Sequence, residues 1–189
     1  MGSPRSRPDG MQSLIDAARK VGDGLPPVER WHPEYCGEMD MVIRRDGSWW
    51  HEGTRIGREA LVRLFARILR KDEDGETYLV TPVEKIRIEV EAAPFLAVRL
   101  DVAGEGKARK LIFTTNMDES VIAGPDHPLR MDFNADGEPE PFVHVRGRLE
   151  ALLTRPCFYE LAALAEPGPD GMMGVWSEGV FFALEKGAD

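Results

Sequence analysis

The sequence predicts an α+β protein with a duplicated strand/helix core, its C-terminal half a bent antiparallel sheet or open barrel. Three observations carry that prediction. First, one pattern occurs twice. Trp49-Trp50-His51-Glu52-Gly53 reads as a strand feeding a helix that opens Arg58-Glu59-Ala60-Leu61, and Phe142-Val143-His144-Val145-Arg146-Gly147 reads as a strand feeding Arg148-Leu149-Glu150-Ala151-Leu152. Second, Leu61, Leu64, Phe65 and Ile68 recur at helical spacing, with Arg63, Arg67 and Arg70 on the opposite face. Third, strand texture begins at Tyr78. Ile86, Ile88 and Val90 alternate with Arg87 and Glu89, and Leu96, Val98, Leu100 and Val102 alternate with Arg99 and Asp101.

Taken in order, Ser13 to Val21 has helical spacing through Leu14, Ala17, Ala18 and Val21, and Gly22-Asp23-Gly24 ends it. Leu25-Pro26-Pro27 begins an extended linker, because proline lacks the donor a helix needs. Met39 to Arg45 and Ser48 to Glu52 flank Asp46-Gly47, a dipeptide suited to a tight hairpin turn. Asp72-Glu73-Asp74-Gly75 closes the helix that starts near Arg58. Ala92-Ala93-Pro94 separates two strands expected to pair as neighbours, and Leu111, Phe113 and Thr115 make the next strand after Gly104-Glu105-Gly106. Shorter strands are expected near Val121 and at Leu129, Met131 and Phe133. Arg148 to Ala165 reads as a helix kinked or split by Pro156, and Gly174 to Leu184 as a last strand. This divides the chain into a tail and helix (1–30), an N-terminal α+β half (31–82) and a C-terminal barrel-like half with a capping helix (83–189).

With 189 residues, 42% hydrophobic and 30% charged, the composition is that of an ordinary globular protein. The net charge of -9 argues against nucleic acid or an anionic membrane as partner. No apolar run is long enough to span a bilayer, and no apolar leader follows the first residues. Met1 to Ser6 fits the loose myristoylation pattern but reads as a Pro/Arg/Ser tail. Cys36 and Cys157 form no CxxC, so neither a disulfide framework nor a zinc ribbon is offered. The expectation is a cytoplasmic protein without a cofactor.

Trp50-His51-Glu52-Gly53, Tyr78-Leu79-Val80-Thr81-Pro82-Val83-Glu84-Lys85, His127-Pro128-Leu129-Arg130, His144-Val145-Arg146-Gly147 and Arg155-Pro156-Cys157-Phe158-Tyr159-Glu160-Leu161 resemble a bacterial family catalogued as Domain of Unknown Function 1285. The resemblance runs from about Trp31 to Leu184. It implies a duplicated α+β core whose C-terminal half looks like a pleckstrin-homology barrel, a nucleotide-like ligand at the domain interface, and a signalling role. It implies no reaction.

One constellation has the chemistry of an anion site: His144, Arg146, Arg148, Arg155 and Tyr159. If Gly147 turns the chain into a helix, the unpaired N–H groups of that helix face Arg146 and Arg148, whose guanidiniums grip phosphate as forks. On an unbroken helix Arg148, Arg155 and Tyr159 would align; in the competing reading the arginines pair with acidic neighbours and Tyr159 is core. Trp50 is a stacking face or a packing residue, and His51 and Glu52 point to opposite sides of their strand. Thr81 and Lys85 join the expected ligand set through their motif. His51-Glu52 is not HExxH, because position 55 is arginine. Asp132 to Gly137 begins like an EF-hand loop, but Val143 stands where the bidentate glutamate belongs, so a polar turn is expected. The histidines His32, His51, His127 and His144 share no metal-ligand spacing. Cys157 is either a buried core thiol or one activated by a helix start. The leading expectation is a module that holds a nucleotide-like anion and reports occupancy to a protein partner, without catalytic or metal residues. The alternatives are an enzyme acting on a phosphorylated small molecule and a peptide-docking protein.

Overall fold

The computed structural model describes residues 10–187. The Met1 to Ser6 pattern lies outside them. The chain divides into two compact units between Pro94 and Phe95.

The N-terminal unit opens with α1 (Gly10–Lys20) and a single 3-10 turn at Val28–Arg30, as the linker prolines dictate. Then follow β1 (Tyr35–Ile43), β2 (Trp49–His51), β3 (Thr54–Arg55), α2 (Glu59–Arg67), β4 (Leu69–Lys71), β5 (Thr77–Val80) and β6 (Lys85–Val90). They form one sheet in the order β3-β2-β1-β6-β5-β4, antiparallel except for the central β1–β6 pair. The Asp46-Gly47 hairpin is as expected. Arg44 accepts at its carbonyl from Gly47, and Gly47 takes the positive φ of 82° that only glycine adopts cheaply. The core gathers Leu14, Met41, Ile43, Trp49, Phe65, Ile68, Leu69 and Leu79, all at most 1% exposed. Trp49 and Phe65 stack with ring centroids 6.3 Å apart, fastening α2 to the sheet.

Arg70 departs from the sequence reading. It is not on a solvated helix face but in β4, 7% exposed. Its guanidinium donates to the carbonyls of Val28 and Trp31, each at 2.8 Å, and to Asp72 at 2.6 and 3.2 Å. Burying that charge is tolerable because its donors have acceptors. The Asp72 carboxyl loses water by burial, yet hydrogen bonds from Arg70 and Lys85 overcome this and hold it below the usual aspartate value.

The C-terminal unit contains β7 (Phe95–Ala103), β8 (Lys110–Thr115), β9 (Ser120–Ile122), β10 (Leu129–Phe133), β11 (Pro139–Arg146), β12 (Leu149–Leu153), α3 (Arg155–Ala162), β13 (Glu166–Pro167), β14 (Met173–Ser177) and β15 (Val180–Ala183). The main sheet runs β10-β11-β12-β7-β8-β9, with only β12 and β7 parallel; β13, β14 and β15 form a separate small sheet. The main sheet is curled into a half-barrel. The β14–β15 hairpin meets both sides of it. Ser177 Oγ accepts from the Leu111 amide at 3.0 Å and donates to the Ala123 carbonyl at 2.6 Å, while β15 packs on β10 at the opposite edge. Arg146, at the end of β11, lies over the Phe95 ring and reaches Glu119 beyond β8, which a flat sheet would put out of range.

Numbered within each unit, both main sheets have the same strand order, 3-2-1-6-5-4, with the first and last strands as the parallel pair. The duplication therefore lies in the topology. The Trp49 and Phe142 patterns are not its equivalent positions, since His51 is in the second strand of its unit and His144 in the fifth.

Five further expectations are corrected. Gly147 turns β11 back into β12, so no helix begins at Arg148. Pro156 does not kink a helix but sits in the first turn of α3, where its missing N–H is harmless. The strands on either side of Ala92-Ala93-Pro94 do not pair: β6 joins β1 and β5, β7 joins β12 and β8. The division after Pro82 gives way to one after Pro94 for the same reason. Gly174 to Leu184 holds the turn of a two-stranded hairpin in place of a single strand.

Candidate functional site

The expected ligand residues are taken unit by unit. In the N-terminal unit, Trp50 donates from Nε1 to Ser48 Oγ at 2.8 Å, and its face is covered by the Arg44 guanidinium at 3.7 Å. That cation–π contact occupies one face of the indole on which a base could stack. His51 ends β2 opposite Met41. Thr81 is fully buried, and its hydroxyl accepts from the amides of Val83 and Glu84, so it shapes the β5–β6 turn. Lys85 bonds Asp72 at 3.1 Å and sits over the Tyr78 ring. Tyr78 in turn donates to Asp74 at 2.6 Å, and this hydrogen bond, with burial, pushes its hydroxyl up to about 12.

In the C-terminal unit, Arg146 is held by both Glu119 oxygens at 3.2 Å, as the competing reading of the arginines foresaw. Arg148 is exposed in the β11–β12 turn and is itself engaged. Arg155 opens α3 and Tyr159, 65% exposed, lies one turn further on. β12 separates Arg148 from Arg155 by roughly 15–20 Å at strand rise, so these arginines cannot grip one anion. Cys157 is buried and its thiol is pushed up to about 12 by burial and by Glu160, which places it with the core thiols. Asp132 to Gly137 forms the expected polar β10–β11 turn, closed by Asn134 and Glu138.

The fold unites one pair that sequence spacing did not. His144 Nε2 lies 2.7 Å from the Gly147 carbonyl and must donate to it, leaving Nδ1 as an acceptor. His127 Nδ1 stands 3.2 Å from both that atom and the His144 carbonyl, and donates to them. The pair ties the loop before β10 to the end of β11.

A different place has the shape of a site. Between α1 and α2 runs a groove of about 470 Å³, within the size range of ligand pockets. Its floor is aliphatic: half-buried Ile15, Leu61 and Leu64, with Ala60 beside them. α1 turns Leu14 and Ala18 fully inward, which leaves the next row, Ile15 and Arg19, along the flank. Arg19 and Arg58 stand at the rim, both exposed. Neither has an ion pair or side-chain hydrogen bond among the described residues, whereas Arg63, Arg67, Arg70, Arg87, Arg109 and Arg130 are all engaged. Glu59, next to Arg58, is locked onto Arg63 at 2.9 Å, and Gln12 is turned to Asp16 at 3.0 Å. Helical spacing puts Leu61 and Leu64 in the core stripe and singles out neither Arg19 nor Arg58. The available signal was an arginine on each apolar edge, Ile15 with Arg19 and Leu61 with Arg58, at helical spacing.

A second cleft, about 570 Å³, borders β1, β5 and β6. β1 carries three more residues than β6 between Tyr35 and Val42, so it bows away and opens the space. Of its four carboxylates, Glu38, Asp40, Glu76 and Glu89, Glu38 and Glu76 are drawn onto Arg87 at 2.5 and 3.0 Å.

These features define a two-domain α+β protein with repeated sheet topology. The chain belongs to the family described as "Domain of unknown function (DUF1285)": the N-terminal domain of that family matches residues 26–93 and the C-terminal domain residues 94–184. Among solved structures it is similar to a DUF1285 family protein from Silicibacter pomeroyi DSS-3, with 49% identity, TM-score 0.84, and coverage of 90% of this chain and 93% of that one. It also resembles a DUF1285 family protein from Shewanella baltica OS155, with 28% identity, TM-score 0.50, and coverage of 65% and 89%. No curated protein matches the chain.

Proposed function

We propose that the protein is a binding module for a small anionic ligand, whose occupancy is read by a protein partner in a signalling role. The observation that carries this reading is the α1–α2 groove with two unengaged guanidiniums at its rim, in a chain with 33 acidic against 24 basic residues. Where carboxylates are so plentiful, arginines left without one at the mouth of an apolar groove favour an anion from outside. The side chains lining the groove offer binding chemistry only; none is a nucleophile or general base, which favours retention over turnover. The family resemblance, which covers α2 and not α1, supports the signalling role and suggests nucleotides as the first class to screen.

The test is a thermal-shift screen of the full chain against nucleotides, inorganic phosphate and carboxylates, run in parallel on a variant carrying Arg19→Ala and Arg58→Ala. Ligand at a hundred times its Kd adds about 2.7 kcal/mol. An anion that stabilises the parent and not the variant supports the reading. Stabilisation equal in both moves the site away from the groove, and no stabilisation by any anion removes the reading.

A further inference from the structure

We infer that the groove between α1 and α2 takes an aliphatic carboxylate, with the head group at Arg19 and Arg58 and the tail along Ile15, Leu61 and Leu64. The inference rests on the anion-binding reading above and narrows its ligand class. The lining decides between the candidates. Beyond the guanidiniums that would hold its phosphate, a nucleotide needs a ring to stack on or fixed donors and acceptors to read a base edge. No aromatic side chain lines the groove, and its one neutral polar group, Gln12, already donates to Asp16. Branched aliphatic side chains offer dispersion and release of water without direction, which suits a flexible methylene chain.

The rim completes the match. A carboxylate is a planar two-oxygen acceptor, the shape a guanidinium fork binds through two parallel hydrogen bonds. Arg19 comes from the last turn of α1 and Arg58 from the residue that caps α2, so each helix contributes one guanidinium to the groove. The neighbouring carboxylate that would compete best for Arg58, Glu59, is bound to Arg63 through both Nε and Nη2 at 3.2 and 2.9 Å. The tail enters beside the half-buried leucines, which α2 leaves in partial contact with water because Phe65 and Ala66 take the fully buried row. Filling the groove removes that water.

The experiment is calorimetric titration of the full chain with a series of straight-chain carboxylates from acetate to decanoate. AMP, inorganic phosphate and decyltrimethylammonium serve as separate probes. Burying one more methylene should tighten binding roughly threefold to fourfold, until the groove is full. Arg58→Ala should weaken decanoate by about tenfold or more, as expected for loss of a charge-assisted hydrogen bond. Leu64→Ala should flatten the chain-length dependence. The cationic probe should not bind. AMP binding that depends on Arg19 and Arg58, without decanoate binding, would overturn this inference and leave the anion-binding reading standing. Failure of every anion would remove both. Equal affinity for decanoate and its cationic counterpart would show greasy adsorption and overturn the inference as well.

Discussion

In the N-terminal sheet the third and fourth strands are joined by α2, while in the C-terminal sheet, which has the same 3-2-1-6-5-4 order, residues 123–128 make that connection as a loop. The covers differ accordingly. The N-terminal sheet is packed by an amphipathic helix through side chains alone, as the Trp49–Phe65 stack shows. The C-terminal sheet is closed by a hairpin that also bonds, through the backbone, the turn between β7 and β8, with Glu178 N donating to the Arg109 carbonyl and Gly179 N to the Lys107 carbonyl, both at 2.9 Å. A hairpin cover meets a curled sheet group by group. A helical cover meets its neighbour along a ridge, and the flank of that ridge stays open. One topology thus yields a sealed half-barrel in one unit and a groove in the other.

The comparison breaks most visibly at Phe65. Phe65→Ala removes the buried ring that fastens α2 to the sheet, and should cost about 3–5 kcal/mol in chemical denaturation. The groove should lose its ligand with it. A loss below about 1 kcal/mol would mean α2 is held by something other than this stack.

Asp72→Asn comes next. Asp72 is the shared acceptor of Arg70 and Lys85, and replacing it leaves a nearly buried guanidinium without its anion, at a cost of about 2 kcal/mol. Its pH signature has a fixed sign. A carboxyl held below its ordinary 3.8 contributes stability that is complete above that value. That stability drains away as pH falls through the lowered folded value. The parent should therefore lose stability below pH 3.8 more steeply than Asp72→Asn, and parallel acid limbs in the two melts would contradict the assignment.

Ser177→Ala tests the hairpin cover. It strands the Leu111 amide and the Ala123 carbonyl, and should cost about 1–3 kcal/mol. Hydrogen exchange at Leu111 should accelerate. Unchanged protection there would show that water replaces the hydroxyl and that the closure does not depend on Ser177.

The same contrast explains which parts were legible in the sequence. Alternation revealed β6 and β8, but in β7 it found the strand and not the face: Phe95, Ala97 and Leu100 are buried while Val98 and Val102 are exposed, because a bulge between Ala97 and Arg99 shifts the register. β12 defeated it. Leu149, Ala151, Leu152 and Leu153 are all buried in a central strand of the sheet, and such an unbroken apolar run of helix-forming residues reads as helix. Pro156 was then misread as an interruption, although it stands where a helix tolerates it. Arg70 looked solvated because helical spacing continued through it, while tertiary hydrogen bonds pulled it into β4. The expected alignment of Arg148, Arg155 and Tyr159 goes with β12, since it needed a helix that does not form there. Arg19 and Arg58 were visible as letters, but which arginines lack a partner is a property of the folded chain.

The smallest expected effect sharpens the comparison furthest. Arg130 on β10 reaches over the Phe142 ring of β11 to grip Glu150 on β12 with two hydrogen bonds at 3.0 and 2.9 Å. The chemistry resembles that of Arg70 and Asp72, but the side chains are 48% and 27% exposed, against 9% and 22% for the N-terminal pair. Exposed pairs gain little, because water already solvates both charges and salt screens them. Glu150→Gln should cost under about 1 kcal/mol, and part of that should vanish in high salt. A double-mutant cycle with Arg130→Ala separates the ion pair from the packing of the arginine stem on Phe142, which survives in Glu150→Gln and not in Arg130→Ala. If Glu150→Gln costs as much as Asp72→Asn, exposure is not what distinguishes the two pairs. The fork across β11 would then be a clamp on the curl of the C-terminal sheet, as important to its closure as the hairpin.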